Sequence, residues 1–302
     1  MGMEPETETV AEKMRREWDA RAVEDAKFYI ATGYAGSDEE FRESGEADLD
    51  GAVLDGVVLS KEASALEIGC GVGRLLVPLA SRIRQVHGVD ISPAMIERSK
   101  AYTAGFANVS TRVTEGALTG VANASCDLVF SYIVFQHIPS VEPILAYARE
   151  AARVLAPGGV FRFQVDGRAW RWEGRPATTY DGVKFTPEAA RALLSTTGFE
   201  IVDEWGADTH YHWITARRPF ETPSPRVRVV SRVFDEVVLV DLLGRCGVAD
   251  PSKAASSVVS GAISLRRALA PVEEVGAGLG DEAFVRAVAS RVFERPRVET
   301  WV

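Results

Sequence analysis

The chain has 302 residues, of which 46% are hydrophobic and 25% charged, and its formal net charge is −9. This length can bury one large or two modest cores, and the composition is that of a globular protein. No apolar run approaches the roughly 18 residues of a membrane span. No basic stripe interleaved with aromatic residues marks a nucleic-acid surface, so we expect neither a membrane nor a nucleic acid as a partner.

The three cysteines, Cys70, Cys126 and Cys246, lie far apart and follow no metal-binding spacing. An odd number of isolated cysteines fits reduced thiols inside a cell. The first ten residues are acidic and not apolar, unlike a secretion signal. We therefore expect a cytoplasmic protein without a metal site.

The first predicted element is a helix over residues 9–30, with an imperfect apolar stripe between charged residues. Trp18 and Tyr29 are among its large apolar side chains. These side chains either cover the edge of a core sheet or form a lid over a ligand site. A second, short helix is predicted to begin after Ser37, which can cap it.

The stretch that follows predicts a strand, a glycine turn and a helix. An apolar run over residues 65–68 is followed by Gly69, Gly71 and Gly73, and a helical apolar pattern resumes at Leu75. This order brings a ligand against backbone N–H groups at the beginning of a helix. The glycines allow a sharp turn and close approach of the ligand to the backbone.

The next strand, residues 86–90, ends in an acid, Asp90, 17 residues after Gly73. An acid at this place can accept hydrogen bonds from both hydroxyls of a ribose. Two features argue against NAD: the third glycine comes one residue early, and Glu67 would face a pyrophosphate. A carboxylate there suits a ligand with an ammonium group, such as S-adenosylmethionine (SAM).

Two more strands are predicted over residues 109–114 and 127–132, and a helix over 141–155. Ligands in open α/β sheets bind at the carboxyl ends of the strands. Four polar or aromatic residues follow the second of these strands and should face the site: Ser131, Tyr132, Gln136 and His137.

A tight turn at residues 157–159 precedes a predicted strand over 160–165, which ends at Asp166. The segment 167–185 then carries Trp170 and Trp172 among arginines. It is either a substrate-binding loop, as long connections often are, or an ordinary surface insert. The elements predicted after it are a helix over 186–197 and strands over 199–205 and 210–216.

The composition changes after a Pro- and Ser-rich linker at residues 222–225. Helices are predicted over 256–269 and 281–293. Residues 226–302 could serve as a homodimerisation arm or as a cap over the acceptor site.

Five segments in this order resemble the class I SAM-dependent methyltransferases, in particular the type 11 small-molecule branch. The segments are LEIGCGVGR, GVDISPAMIERSK, the acidic position Glu115, CDLVFSYIVFQHIP and RVLAPGGVFRFQV. The resemblance covers about residues 66–165, and more loosely extends to 217. It implies an α/β fold: a Rossmann-like, doubly wound, seven-stranded sheet with an antiparallel last strand. We expect an N-terminal helical lid region (1–60), the SAM-binding domain (61–218) and a mainly helical extension (226–302).

The expected cofactor site combines the residue patterns with this resemblance. Glu67 would hold the ammonium group, Arg74 the carboxylate and Asp90 the ribose of SAM. Ile91 and Met95 would flank the adenine ring. The other residues expected at the cofactor are Gly69, Cys70, Gly71, Gly73, Glu115, Gly116, Ala117, Ser131 and Tyr132.

Methyl transfer from a sulfonium requires mainly that the acceptor is aligned with the methyl carbon. His137 is the candidate base for a hydroxyl acceptor, because its ordinary pKa lies near neutrality. The residues expected at the acceptor are Trp18, Tyr29, Gln136, Asp166, Trp170 and Trp172. The predicted function is methyl transfer to oxygen or nitrogen of a small molecule. The alternatives are a non-catalytic SAM-binding or partner subunit and, third, an NAD(P)-dependent oxidoreductase.

Overall fold

A computed structural model describes residues 8–31, 37–169, 174–219, 226–229 and 249–259, and the short stretches 233–234, 240, 243–244 and 293–294. The helices are α1 (Val10–Ile30), α2 (Asp38–Asp48), α3 (Leu76–Ala80), α4 (Pro93–Tyr102), α5 (Val141–Val154), α6 (Pro187–Ala192) and α7 (Pro251–Val259). A π-helical turn spans Leu49–Val53 and a 3₁₀ turn spans Phe135–His137.

The strands are β1 (Val57–Leu59), β2 (Ser64–Ile68), β3 (Gln85–Asp90), β4 (Val109–Val113), β5 (Cys126–Ser131), β6 (Leu155–Val165), β7 (Glu200–Trp205), β8 (His212–Arg217), β9 (Val227–Val229), β10 (Val233–Phe234) and β11 (Phe293–Glu294). Within this part of the chain, no helix is long and apolar enough to cross a membrane.

The central sheet has seven strands in the order β4-β3-β2-β5-β6-β8-β7. The pairs from β4 to β6 are parallel, whereas β8 runs antiparallel to both β6 and β7. The predicted seven-stranded sheet with an antiparallel last strand is therefore confirmed. The chain order reverses between β2 and β5, and such a reversal opens a crevice at the carboxyl ends of the strands.

The sheet is covered on both faces. Successive residues of β5, Leu128 and Val129, belong to different apolar clusters, as expected when side chains alternate across a strand. Leu76 and Leu79 of α3 pack in the first cluster, and Ile144 of α5 packs in the second. Helices on both faces explain why the parallel strands read as continuous apolar runs.

The N-terminal helix is formed as predicted, but it is broken near its end. Thr9 and Glu12 make a capping box at its beginning. Asp25 has extended backbone angles (φ −161°, ψ 91°), and its Oδ1 accepts a hydrogen bond from the Phe28 N–H at 3.0 Å. The Asp25 side chain thus caps a new helical turn inside α1.

The predicted turn at residues 157–159 lies instead within the long strand β6. Gly158 adopts φ +76°, and the register of β6 against β5 shifts between Cys126 and Leu128. The glycines therefore form an irregularity in the strand rather than a turn before it. Helix α6 is also shorter than the predicted helix over 186–197.

Part of the C-terminal segment packs on the core. Strand β9 pairs antiparallel with β1, with Val57 opposite Val229. Val227 and Val229 are buried in the same apolar cluster as Val57. The predicted linker 222–225 and most of the helices predicted over 256–269 and 281–293 lie outside the described residues.

Candidate functional site

A cavity of about 300 Å³ lies at the carboxyl ends of β2, β3 and β5. This volume is at the lower end of the range of small-molecule sites, roughly 300–1,000 Å³. Helix α1 covers one side of it and α5 contributes to another. The lining residues are Val10, Ala11, Met14, Trp18, Tyr29, Ile30, Glu67, Ile68, Gly69, Cys70, Gly71, Arg74, Leu75, Asp90, Ile91, Met95, Glu115, Gly116, Tyr132, Ile133, Val134, His137, Ile138, Glu142, Pro143, Ala146 and Tyr147.

The glycine turn forms the floor of the cavity. Gly69 has φ +77°, a conformation that side chains with a Cβ rarely adopt. A Cβ on Gly73 would lie 2.8 Å from the Ser99 hydroxyl oxygen, so this glycine allows the turn to pack against α4. Gly73 itself does not line the cavity, whereas Gly69 and Gly71 do.

Asp90 joins the glycine turn to the beginning of α4. Its Oδ2 accepts a hydrogen bond from the Gly71 N–H at 2.9 Å, and its Oδ1 accepts one from the Ser92 N–H at 2.9 Å. Burial raises the pKa of Asp90 to about 6, and these backbone hydrogen bonds oppose the rise. The carboxylate is therefore mostly ionised at neutral pH, and each oxygen has a second lone pair for a ligand hydroxyl.

Glu67 is a second buried acid in the same cavity. It is 3% exposed, and its Oε2 has no hydrogen-bond partner. Burial raises the pKa of Glu67 to about 8; the positive charge of Arg74 opposes this rise and the negative charge of Asp90 adds to it. A carboxyl group in this position favours a cationic ligand, because a bound cation would offset the cost of its buried charge.

The Arg74 side chain is bound by two residues of α2. Its Nη2 lies 2.8 Å from Asp48 Oδ2, and its Nη1 donates to the Ser44 hydroxyl at 3.2 Å. Of the described residues that line the cavity, Arg74 is the only lysine or arginine. Its charge is therefore largely offset by Asp48 and does not neutralise Glu67.

The remaining residues expected at the cofactor lie in two groups. Cys70, Ile91, Met95, Gly116 and Tyr132 line the cavity, and so does Glu115, which forms an ion pair with Arg15 of α1. Ala117 and Ser131 do not line it. The Ala117 carbonyl accepts from the Thr114 hydroxyl, and the Ser131 hydroxyl donates to the Ile68 carbonyl. Burial raises the pKa of the Cys70 thiol, so it is not a reactive thiolate.

His137 faces the cavity from the 3₁₀ turn. Its Nδ1 donates to the Tyr180 carbonyl, and its ring makes an edge contact with Trp18 at 5.4 Å between centroids. A carbonyl can only accept, so Nδ1 carries a proton and the lone pair of the neutral ring is on Nε2. Burial lowers the pKa of His137 to about 4, so the ring is neutral at pH 7.

Two segments meet around His137. The Gly182 and Val183 N–H groups donate to the carbonyls of Gln136 and Ile138 at 2.7 and 2.9 Å. Arg21 of α1 donates to the Thr179 hydroxyl at 3.1 Å. Residues 178–183 thereby connect α1 with the 3₁₀ turn, and α1 is fastened over the cavity.

Only some of the residues expected at the acceptor line the cavity. Trp18 and Tyr29 line the cavity. Gln136 is buried beside it, and Asp166 lies outside its lining, bound by Arg168 and Lys184 at 2.8 and 2.9 Å. Burial would raise the pKa of Asp166, but hydrogen bonds from these two cations outweigh it and hold the pKa at about 2. Trp170 and Trp172 lie outside the described residues.

Some polar residues near the cavity were not expected from the sequence. Asp19 of α1 accepts hydrogen bonds from the Ser92 hydroxyl and from the Ala94 N–H at 3.1 Å. Gln164 of β6 is fully buried and donates to Gln136 Oε1 at 2.8 Å. The signal for Gln164 was present, since a glutamine inside an apolar strand must find hydrogen-bond partners. No group of three possible metal ligands occurs among the residues described.

Comparison with known proteins agrees with this geometry. Residues 66–163 match the model of a methyltransferase domain family. This part of the chain is therefore similar to a methyltransferase domain. The matched range begins within β2 and ends in β6, so it contains the floor of the cavity and the loop that carries His137.

Two curated relatives match this methyltransferase domain. A ubiquinone biosynthesis O-methyltransferase of Cereibacter sphaeroides (strain KD131) is 30% identical over 156 residues, which are 47% of this chain and 62% of that protein. An aklanonic acid methyltransferase of Streptomyces sp. (strain C5) is 36% identical over 146 residues, 46% of this chain and 60% of that protein. The chain thus spans about three fifths of the length of these relatives.

Solved structures share the fold at low sequence identity. A phosphoethanolamine N-methyltransferase of Haemonchus contortus has a TM-score of 0.54 at 17% identity, covering 71% of this chain and 50% of that one. A geranyl diphosphate C-methyltransferase of Streptomyces coelicolor A3(2) has a TM-score of 0.53 at 13% identity, covering 72% and 100%. The methyltransferase domain therefore has the Rossmann-like fold of these proteins.

Proposed function

We propose that this protein is a SAM-dependent methyltransferase that acts on oxygen or nitrogen of a small molecule. The observation that carries the proposal is the pair of buried acids, Glu67 and Asp90, at a glycine turn whose nearby cation, Arg74, is bound to Asp48. A bound cation would favour the ionised form of Glu67, so these two acids favour a cationic ligand that bears a ribose. The methyltransferase domain and its curated relatives support the same proposal.

The residues present fit SAM. The Glu67 carboxylate, with its unpartnered Oε2, would receive the ammonium group, and Asp90 would accept from the ribose hydroxyls. Ile91 and Met95 offer apolar contacts to an adenine ring, and Glu115 would face its amino group. SAM, when bound, supplies a methyl group already activated by its sulfonium. The protein has then to exclude water and hold the acceptor in line.

We further propose that α1 is a lid and that the acceptor lies beneath it. Trp18 and Tyr29 of α1 line the cavity together with His137, so an acceptor with a flat ring would pack well there. The acceptor roles of Gln136, Asp166, Trp170 and Trp172 stay predictions, as do homodimerisation through residues 226–302 and a cytoplasmic location.

The two alternatives make different demands on the site. An NAD(P) pyrophosphate would lie against the carboxylate of Glu67, which is unfavourable. A non-catalytic SAM-binding subunit would bind the cofactor but show no turnover with any acceptor.

Calorimetric titration with SAM, S-adenosylhomocysteine and NADH tests the cofactor. We expect binding of the first two and none of NADH, because Glu67 favours an ammonium group and disfavours a phosphate. Binding of NADH alone would overturn the proposal. An acceptor screen that measures S-adenosylhomocysteine formation then separates an enzyme from a non-catalytic subunit.

Replacing His137 by alanine tests the proposed base. For a hydroxyl acceptor we expect kcat to fall by about 10²–10⁴-fold, the usual contribution of general-base catalysis, with little change in SAM affinity. Because burial lowers the pKa of His137 to about 4, the ring stays mostly unprotonated down to about pH 5. With SAM saturating, the acid limb of kcat/KM for the acceptor should lie near pH 4 to 5.

The matched control is His87→Ala. His87 lies on β3, where its Nδ1 is 2.7 Å from the Ser110 hydroxyl, and it does not line the cavity. This variant should keep the wild-type kcat. If His137→Ala also keeps it, His137 is not the base.

A further inference from the structure

Gln164 is a fully buried amide at the centre of a hydrogen-bond network beneath the cavity. It lies on β6, 0% exposed. Its Oε1 accepts from the Ile133 N–H at 3.2 Å. Its Nε2, which carries two hydrogens, faces three acceptors: Gln136 Oε1 at 2.8 Å, the Val165 carbonyl at 3.0 Å and the His210 carbonyl at 2.7 Å.

The backbone fixes the orientation of this amide. A backbone N–H can only donate, so the Gln164 oxygen must face Ile133. The carbonyls of Val165 and His210 can only accept, so the Gln164 nitrogen must face them. A reversed Gln164 amide would place its oxygen against two carbonyl oxygens and its nitrogen against an N–H group.

The orientation passes on to the neighbouring amide. If the Gln136 amide were reversed, its NH₂ group would face the NH₂ group of Gln164. Gln136 therefore turns its oxygen toward Gln164 and its nitrogen toward His137. Gln136 Nε2 lies 3.3 Å from His137 Nε2. The Nδ1–H of His137 already donates to the Tyr180 carbonyl. Thus His137 Nε2 is left with a lone pair, which meets an N–H group and not an oxygen.

The same amide supports an unusual backbone conformation. Ile133 has φ +54°, and a β-branched residue rarely adopts this left-handed region. Its N–H is the group that donates to Gln164 Oε1. Ile133 lines the cavity four residues before His137, so Gln164 holds both ends of the segment that faces the acceptor.

We propose that Gln164 is a positioning residue that, through Gln136, holds His137 as the Nδ1–H tautomer with the Nε2 lone pair available at the cavity. The kinetic consequence rests on the function proposed above, in which Nε2 accepts the proton of the acceptor. The 3.3 Å contact from Gln136 is long for a hydrogen bond, and an acceptor hydroxyl can replace it.

Charged groups on other parts of the chain also lower the pKa of the His137 ring. Arg21 of α1, Lys184 and His210 each disfavour a positive charge on His137. The amide network adds a donor at Nε2, which favours the unprotonated nitrogen. Without Gln164, the Gln136 amide could reverse and offer its oxygen to Nε2, which would favour the protonated ring.

Ring ¹⁵N spectra of the histidines, recorded as a function of pH, test the proposal without an acceptor. The chain has four histidines. The signals of His137 are assigned by their absence from the spectrum of His137→Asn. In the wild type we expect His137 as the Nδ1–H tautomer with a pKa below 5. In Gln164→Met, we expect its pKa to rise by one unit or more. A wild-type ring protonated on Nε2, or an unchanged titration in Gln164→Met, would overturn the proposal.

Two further variants keep the test decisive. Gln85→Met is the matched control, because Gln85 also donates through its amide to a carbonyl, that of Asn108 at 2.9 Å, on β3 away from the cavity. It should leave the His137 titration unchanged. If Gln164→Met does not fold, Gln136→Glu replaces it, because a carboxylate facing Nε2 should raise the pKa of His137 at least as much.

The kinetic result separates this inference from the proposed function. With an acceptor in hand, Gln164→Met should move the acid limb of kcat/KM upward by the same amount as the pKa of His137, with little change in SAM affinity. A protein without methyltransferase activity would overturn the function but leave the ring spectra, and hence this inference, intact. An unshifted acid limb together with a raised His137 pKa would show that the base is another group.

Discussion

Replacing Glu67 by glutamine is expected to weaken SAM binding by about 10- to 100-fold at pH 7.5. The carboxylate that would hold the ammonium group is lost, and charge-assisted hydrogen bonds at buried sites contribute about 1.5–3 kcal/mol each. Calorimetry measures the affinity, and Glu97→Gln, an exposed acid on α4, is the control. Wild-type affinity in Glu67→Gln would show that Glu67 does not hold the ammonium group.

The same variant should change stability in the opposite direction. The pKa of Glu67 in the folded, ligand-free protein is about 8, above the ordinary value of 4.5. Its protonated form therefore stabilises the fold below about pH 4.5, and this contribution is lost as the pH rises through 8. Glu67→Gln keeps a neutral side chain, so its melting temperature should exceed that of the wild type at pH 8 and approach it at pH 5.

Proton release gives a further readout of the same group. At pH 7 most Glu67 side chains carry a proton when no ligand is bound, and a bound ammonium group favours the ionised form. SAM binding should then release a proton in the wild type and not in Glu67→Gln. Titrations in buffers of different ionisation enthalpy measure this release.

Replacing Asp90 by asparagine is expected to have the second large effect, also about 10- to 100-fold on SAM affinity. Asp90 receives the Gly71 and Ser92 N–H groups, one on each oxygen. An asparagine can accept on one side only, so one buried N–H loses its partner, at a cost of about 1–3 kcal/mol, and the ribose loses an acceptor. Thermal unfolding and calorimetry should therefore both show a loss.

Adenosine as a probe separates the two acids. It has the ribose of SAM but no ammonium group. Asp90→Asn should weaken adenosine and SAM together, whereas Glu67→Gln should weaken SAM and leave adenosine unchanged. Equal binding of adenosine by wild type and Asp90→Asn would contradict the assignment of the ribose to Asp90.

The sequence predicted those parts of the fold that depend on residues close together in the chain. The strand that ends at Asp90, the glycine turn and the cap at Ser37 depend on neighbouring residues, and each is present. The helix break at Asp25 was not predicted, because neither glycine nor proline marks it and its cap is the side chain of Asp25 itself.

Contacts between distant segments could not be predicted in this way. The pairing of β1 with β9 joins two short apolar stretches that periodicity cannot bring together. Likewise, the buried position of Gln164 fits its apolar strand, but its partners on two other segments follow only from the tertiary structure. The candidate cofactor residues lie in local sequence motifs, whereas the support of His137 comes from other segments of the chain.

The β1–β9 ribbon has a consequence for how the chain is made. During synthesis β1 leaves the ribosome some 170 residues before β9. Until then the edge of β1 and the apolar side chains around Val57 have no cover from Val227 and Val229. Strand β1 must therefore wait for its partner strand, and this delay favours chaperone binding to the incomplete chain.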